Sequence, residues 1–197
     1  MTDILTVYTD FVCPWCYIGD TYLQQALAQA HVTVEYVMYP LHPETPHNGR
    51  ALEDLFAARG IDVKATQLAI REKATSMGLE YGERTHTYNS RNAQVVGKAL
   101  MKYGVFERYK QAVFCSYFGR GENISSKEVL QAILDELQIP RVNVSDLIED
   151  PVCQELVDLD WKLCSQKNIN GVPAFQYGNR YCVGAQSSDS LLKLFSP

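Results

Sequence analysis

The sequence predicts an α/β protein in which a βαβ unit and a closing αββα unit are separated by a long all-helical insertion. Three observations carry this. Two strand-like runs, at 4–8 and 31–39, flank one helical stretch. From Leu52 to about Asn168 the apolar spacing is helical throughout. Beyond Asn170-Gly171, two further strand-like runs flank Gly178-Asn179, a two-residue hairpin turn. The insertion occupies 45–150, leaving 1–44 and 151–197 as the two halves of one α/β domain.

Residues 4–8 are an apolar run, the mark of a strand buried on both faces. Helical spacing begins at Cys16 and continues through Leu23, Ala26, Leu27 and Ala30, so the first helix spans about 14–30. The run 31–39 is the second strand, closed by Pro40, and a βαβ unit implies a parallel pair with a right-handed crossover. Residues 41–49 are turn-rich, and His42 and His47 read as solvated loop side chains. Within the insertion, Ala93, Val96, Leu100 and Tyr103 share a face that stops at Gly104. Phe106, Tyr109, Val113 and Tyr117 form the next stripe, ended by Gly119-Arg120-Gly121. Ser125 and Glu128 have capping-box spacing for a helix bearing Leu130, Ile133, Leu134 and Leu137, which stops before Pro140. Asp150 caps another helix with Pro151 at its first position, and Val152, Leu156, Leu159 and Leu163 are its expected buried stripe. A strand at 172–177, an antiparallel return at 180–184 and a helix at 186–195 close the chain.

Composition narrows the classes of function. Of 197 residues, 46% are hydrophobic and 21% charged, the balance of a water-soluble globular chain. A net charge of −5 with no basic cluster argues against a nucleic-acid partner. Met1-Thr2-Asp3-Ile4 lacks the features of a secretory signal, and no apolar run approaches membrane-spanning length, so no membrane partner is expected. Six cysteines in such a chain suggest a reducing compartment, hence a cytoplasmic protein, rather than a disulfide scaffold.

The chemistry concentrates in Cys13-Pro14-Trp15-Cys16, where the first strand gives way to the first helix. Cys13 falls at the helix N-cap with Pro14 at the first helical position, where a missing N–H costs nothing. The reactive form of cysteine is its thiolate, and a helix N-terminus stabilises negative charge. Cys16 lies one turn on, within reach as a resolving partner, so the pair reads as a redox dithiol. A C-x-x-C can also be half a zinc site, but four-coordinate zinc needs two more ligands at recognisable spacing. Cys115 and Cys182 are isolated and no His pair accompanies them, so no metal is expected. Cys153 and Cys164 share a helical face yet stand about 16 Å apart along it at ~1.5 Å per residue, too far for a disulfide. These four cysteines read as reduced and structural.

The order of elements, with C-x-x-C after strand one and Val172-Pro173 opening strand three, resembles the thioredoxin fold with the large all-helical insertion of the DsbA-like branch. Residues Asp10 to Gly19, Asn89-Ser90, Tyr117-Phe118, Ile124-Ser125 and Gly171 to Phe175 are similar to FrnE-like dithiol oxidoreductases. The resemblance implies that Cys13 is the exposed nucleophile and Cys16 the buried resolving thiol. It implies a cis Pro173 facing the sulfurs, with Val172 presenting backbone to an extended substrate. Gly184-Ala185-Gln186 resembles the entry to the last helix, so Gln186 borders the site. DsbA itself has His where Trp15 stands, which predicts a less stabilised thiolate and a less oxidising disulfide here. Relatives often bury a carboxylate beneath the site, at a position that Val7 matches here, leaving Cys16 without a named proton acceptor.

The expected activity is thiol–disulfide oxidoreduction or isomerisation through Cys13 and Cys16, with Pro14, Trp15, Val172, Pro173 and Gln186 contacting substrate. The redox-active pair needs no other cofactor, although glutathione is a possible co-substrate. Expected partners are protein or small-molecule thiols and disulfides; the assembly is left open between monomer and homodimer. Two alternatives stand beside this. A glutathione-dependent isomerase or transferase of the chromene-carboxylate isomerase or kappa class shares the architecture but generally places Ser where Cys13 stands. A non-catalytic binding or chaperone module would use the dithiol as a redox sensor.

Overall fold

The computed structural model describes residues 4–139 and 142–195. The chain forms two compact units, one from residues up to 41 together with those from 158 on, the other spanning 42–157. The corresponding sequence boundaries were 44/45 and 150/151.

In chain order the first unit begins with β1 (Ile4–Thr9), α1 (Pro14–Leu27) and β2 (Thr33–Met38). The helical unit holds β3 (Arg50–Ala51), α2 (Leu52–Phe56), α3 (Val63–Ser76), β4 (His86–Thr87), α4 (Arg91–Met101) and α5 (Phe106–Phe114). It continues with a π-helical turn at Cys115–Gly119, then α6 (Lys127–Glu136) and α7 (Val144–Glu149). Helix α8 (Pro151–Gln166) carries the chain back into the first unit, which ends with β5 (Ala174–Tyr177), β6 (Arg180–Val183) and α9 (Ser188–Phe195).

The sheet of the first unit has the order β2-β1-β5-β6. β1 runs parallel to β2, with Val7 opposite Tyr36 and Thr9 opposite Met38. It runs antiparallel to β5, where Val7 faces Phe175. An interior strand is paired on both edges and covered on both faces, which is why Leu5, Val7 and Tyr8 are all buried. β5 and β6 are the expected hairpin around Gly178-Asn179, with Tyr177 opposite Arg180. Asp160 of α8 is buried and accepts the Met38 N–H at 2.8 Å, tying this helix to the end of β2.

The helical unit buries the stripe Ala93, Val96 and Leu100 of α4 against its neighbours, while Tyr103 lies beyond the helix end and is 57% exposed. Tyr109 of α5 is fully buried, and its hydroxyl donates to the Ala93 carbonyl at 3.0 Å. The short β3–β4 ladder and the π-helical turn have no periodic signature in the sequence.

Four expectations need correction. α1 stops at Leu27, three residues short of Ala30. The cap of α6 is Ser126, whose hydroxyl accepts from Val129 N–H at 3.3 Å. The Ser125 hydroxyl instead donates to the His47 carbonyl at 2.6 Å, so the Ser125–Glu128 capping box does not form. In α8 the buried residues are Cys153, Val157, Asp160 and Cys164, whereas Val152, Leu156 and Leu159 are 66%, 37% and 53% exposed. The two stripes run side by side, about 100° apart, and the inward one is fixed by what Asp160 must reach at Met38. His42, read as solvated, is half-buried against Phe56, and that burial lowers its pKa.

Replacing Asp160 with Ala strips a buried N–H of its acceptor, so unfolding free energy should fall by about 1–3 kcal/mol, read from urea denaturation. A variant as stable as the parent would show that the Asp160–Met38 bond carries no net stability.

Candidate active site

The site is assembled where β1 leaves the sheet. Asp10, fully buried, accepts the Val12 N–H and the Leu41 N–H through its two carboxylate oxygens, each at 3.0 Å. Its carbonyl accepts the Cys13 N–H at 3.2 Å. These bonds close a tight turn and set Cys13, in extended geometry, as the N-cap of α1 with Pro14 next. The Cys13 carbonyl accepts from Cys16 N–H at 3.0 Å and Tyr17 N–H at 3.3 Å.

The Cys13 side chain makes no cap bond with its own helix. Its sulfur donates to the Val172 carbonyl at 3.4 Å. Beneath that loop Cys13 is only 4% exposed, where the resemblance implied an exposed thiol. Cys16 is deeper at 2%. Neither is in a disulfide. Trp15, 44% exposed, is the residue of the motif that meets solvent, and Pro14 is half-buried. Burial first, and then the neighbouring Cys13 sulfur, push the Cys16 thiol well above its ordinary range. The Asp10 backbone and the Thr9 side chain act the other way and oppose that rise.

The facing loop is held from two sides. The Val172–Pro173 peptide bond is cis, and the Pro173 carbonyl accepts the Gly184 N–H at 2.7 Å. Gly19, on the buried face of α1, lets this loop approach. A Cβ there would stand 3.0 Å from Pro173 Cγ and 3.5 Å from Ala185 Cα. The structure therefore brings together Cys13, Cys16, Val172 and Pro173, with Ala185 packed beside them. The Gln186 amide turns back to the Val183 carbonyl at 2.7 Å, a bond within its own loop.

Sequence reading assigned no part to Thr9, Asp10 or Gly19. Asp10 had a signal, since Asp two residues before an N–H it can accept is an Asx-turn pattern. Gly19 had a weaker one, a glycine inside an otherwise helical run. Thr9 had none.

The remaining cysteines are unbonded. Cys164 donates to the Met38 carbonyl at 3.6 Å, and burial together with the Asp160 carboxylate pushes its thiol up to about 12. Burial also raises Cys182, and burial with the Asp150 carboxylate raises Cys153.

The profile of the DSBA-like thioredoxin domain matches residues 4–196. The chain belongs to that family. Three solved structures share the fold. A Streptomyces coelicolor protein named as a probable DsbA oxidoreductase superposes with TM-score 0.88 at 21% identity, covering 98% of this chain and 88% of that one. A 2-hydroxychromene-2-carboxylate isomerase superposes at 0.72 with 18% identity, covering 97% and 92%. The cytosolic disulfide reductase DsbM of Pseudomonas aeruginosa, solved with GSH, gives 0.67 at 15% identity, covering 98% and 93%. At these identities the likeness is one of fold. Among the described residues, no helix is long and apolar enough to cross a membrane.

Two outcomes follow from the geometry. Gly19→Val places carbon where Pro173 and Ala185 now sit, so it should lower stability by about 1–3 kcal/mol and speed iodoacetamide labelling of Cys13 as the loop withdraws. An unchanged melting temperature with unchanged labelling would refute the close-packing role. For Cys164, the folded chain holds the thiol proton more tightly than the unfolded chain does. The associated stability is complete below the ordinary value of 9 and is lost as pH rises towards 12. Cys164→Ser, which keeps a donor to Met38 but does not titrate, should flatten the alkaline decline in melting temperature.

Proposed function

We propose that this protein is a dithiol–disulfide oxidoreductase of the FrnE-like type, acting in the cytoplasm on protein or small-molecule disulfides, with glutathione as a candidate co-substrate. The observation that carries it is the Cys13 sulfur directed at the Val172 backbone, with Cys16 buried one turn behind it. A substrate disulfide entering between Trp15 and the Val172-Pro173 loop meets Cys13 first. Cys13 thiolate attacks one sulfur, the substrate S–S bond breaks, and one half leaves as a thiolate while the other stays in a mixed disulfide. Cys16 then attacks the Cys13 sulfur and displaces the second thiolate. The substrate gains two electrons and the Cys13–Cys16 bridge holds the oxidation; substrate oxidation is the reverse sequence. Val172 offers its backbone to an extended chain, Pro14 and Trp15 shape the entrance, and Gln186 borders it through the loop that it braces.

Support comes from the family and from the DsbM neighbour, a cytosolic disulfide reductase seen with GSH. The glutathione-dependent isomerase reading fits the same architecture, but retention of both Cys13 and Cys16 favours dithiol exchange. Insulin reduction and turnover of glutathione disulfide separate the possibilities. Cys13→Ser should abolish both activities. Cys16→Ser should accumulate a Cys13–glutathione adduct detectable by mass, with turnover at background. Full activity in Cys16→Ser would instead point to monothiol glutathione chemistry, and absence of turnover in the parent would leave a sensor or binding module.

A further inference from the structure

Helix α8 carries two apolar stripes and buries only one. Cys153, Val157 and Cys164, together with Asp160, face the core. The second stripe is Val152, Leu156, Leu159 and Leu163, of which the first three are 66%, 37% and 53% exposed and the last is half-buried. At about 100° per residue, Asp158 and Ser165 fall on the far side of the helix from this stripe, and both are exposed. The remaining surface of α8 thus has the polarity of a solvated face, and the second stripe does not. Single apolar side chains are ordinary on a surface, whereas a continuous row of them marks a face that meets another protein.

The spacing of the row identifies its occupant. Val152, Leu156, Leu159 and Leu163 follow at intervals of four, three and four, the heptad pattern of a seam between two helices. The row is also self-complementary. A two-fold axis crossing α8 between Val157 and Asp158 sets Leu156 across from Leu159 of a second copy, and Val152 across from Leu163. The same rotation brings Glu155 of each copy alongside Lys162 of the other, because both flank the row on one side. Both are exposed, and among the described residues neither forms an ion pair within its own chain. A parallel pairing would instead bring Glu155 towards Asp160, acid against acid.

We propose that α8 is the interface of a two-fold symmetric homodimer, in which two copies pack antiparallel through Val152, Leu156, Leu159 and Leu163 with a Glu155–Lys162 ion pair at each end. The helix is already folded on its inward stripe, so the seam orders no backbone as it forms and costs only side-chain freedom. It is shorter than a standard interface, which places dissociation in the micromolar range.

The inference is independent of the dithiol chemistry, and its test reads assembly alone. The full chain is sedimented from low to high micromolar concentration under reducing conditions, so that no intermolecular disulfide contributes. A monomer–dimer equilibrium is expected. Leu159→Glu should leave only monomer, with an unchanged circular dichroism spectrum because the side chain it replaces is exposed. If that variant loses helical signal, Val152→Glu, at the most exposed position of the row, takes its place. Charge exchange then tests the register. Glu155→Lys sets lysine against Lys162 at both ends and should weaken dimerisation about tenfold, an effect that shrinks in high salt. Lys162→Glu should do the same, and the double exchange should restore the parent's dissociation constant. A parent that stays monomeric throughout overturns the homodimer and leaves the row to a different partner. A dimer unmoved by Leu159→Glu is built on another surface and overturns it equally. A double exchange that fails to restore association overturns the antiparallel register.

Discussion

The geometry of the site depends on a carboxylate that has been taken out of water. Asp10 is completely buried, and a charge in that position costs several kcal/mol unless hydrogen bonds replace its hydration. Here the Val12 and Leu41 N–H groups replace it. The first bond curls the chain just after β1, and the second ties that curl to the segment leaving β2. Two adjacent parallel strands are thereby joined at their carboxyl ends, where an α/β sheet customarily presents its ligand site. The curl also determines which way Cys13 enters α1, and therefore whether its sulfur meets the Val172 carbonyl.

The opposite wall depends on the absence of atoms. Gly19 has no Cβ, so Pro173 and Ala185 can lie against α1 at van der Waals distance. Even a Cβ there would stand 3.0 Å from Pro173 Cγ, so the loop would have to give by a few tenths of an ångström. A donated bond at the turn and a missing methyl on the helix act together: one places the sulfur, the other lets its backbone partner approach.

Much of this architecture was legible because it is periodic. The apolar run at 4–8, the shift to helical spacing at Cys16 and the Gly178-Asn179 hairpin each follow from local patterning, and the structure repeats them. Local patterning failed where two solutions lay one residue apart. Ser125 and Ser126 are both competent caps, and the choice was made by a distant acceptor, the His47 carbonyl, which engages Ser125. In α8 the leucine stripe was the stronger hydrophobic signal, yet Cys153, Val157, Asp160 and Cys164 turn inward because an orphan N–H at the end of β2 needs the Asp160 carboxylate. A polar requirement at long range outweighed the count of apolar side chains. The dithiol itself was plain from its motif, whereas its supports were hidden: Thr9 looks like any strand residue until the fold sets it against Cys16.

Val7 bears on how the buried thiol loses its proton. It occupies the position where the resemblance places a buried carboxylate, yet it is apolar, 3% exposed, and paired with Phe175 and Tyr36. An acid there could take the Cys16 proton and hold it between steps. Val7 cannot, because its side chain neither accepts nor holds a proton. With Val7 in that place, the displaced substrate thiolate is itself a base available to take up the proton, so its basicity enters the rate. Substrates whose thiolates are strongly basic would carry the proton away most readily, although as leaving groups they are the poorer ones. The two dependences oppose each other, and a site with valine at this position should consequently discriminate among disulfides less steeply by leaving-group pKa than one with a carboxylate there.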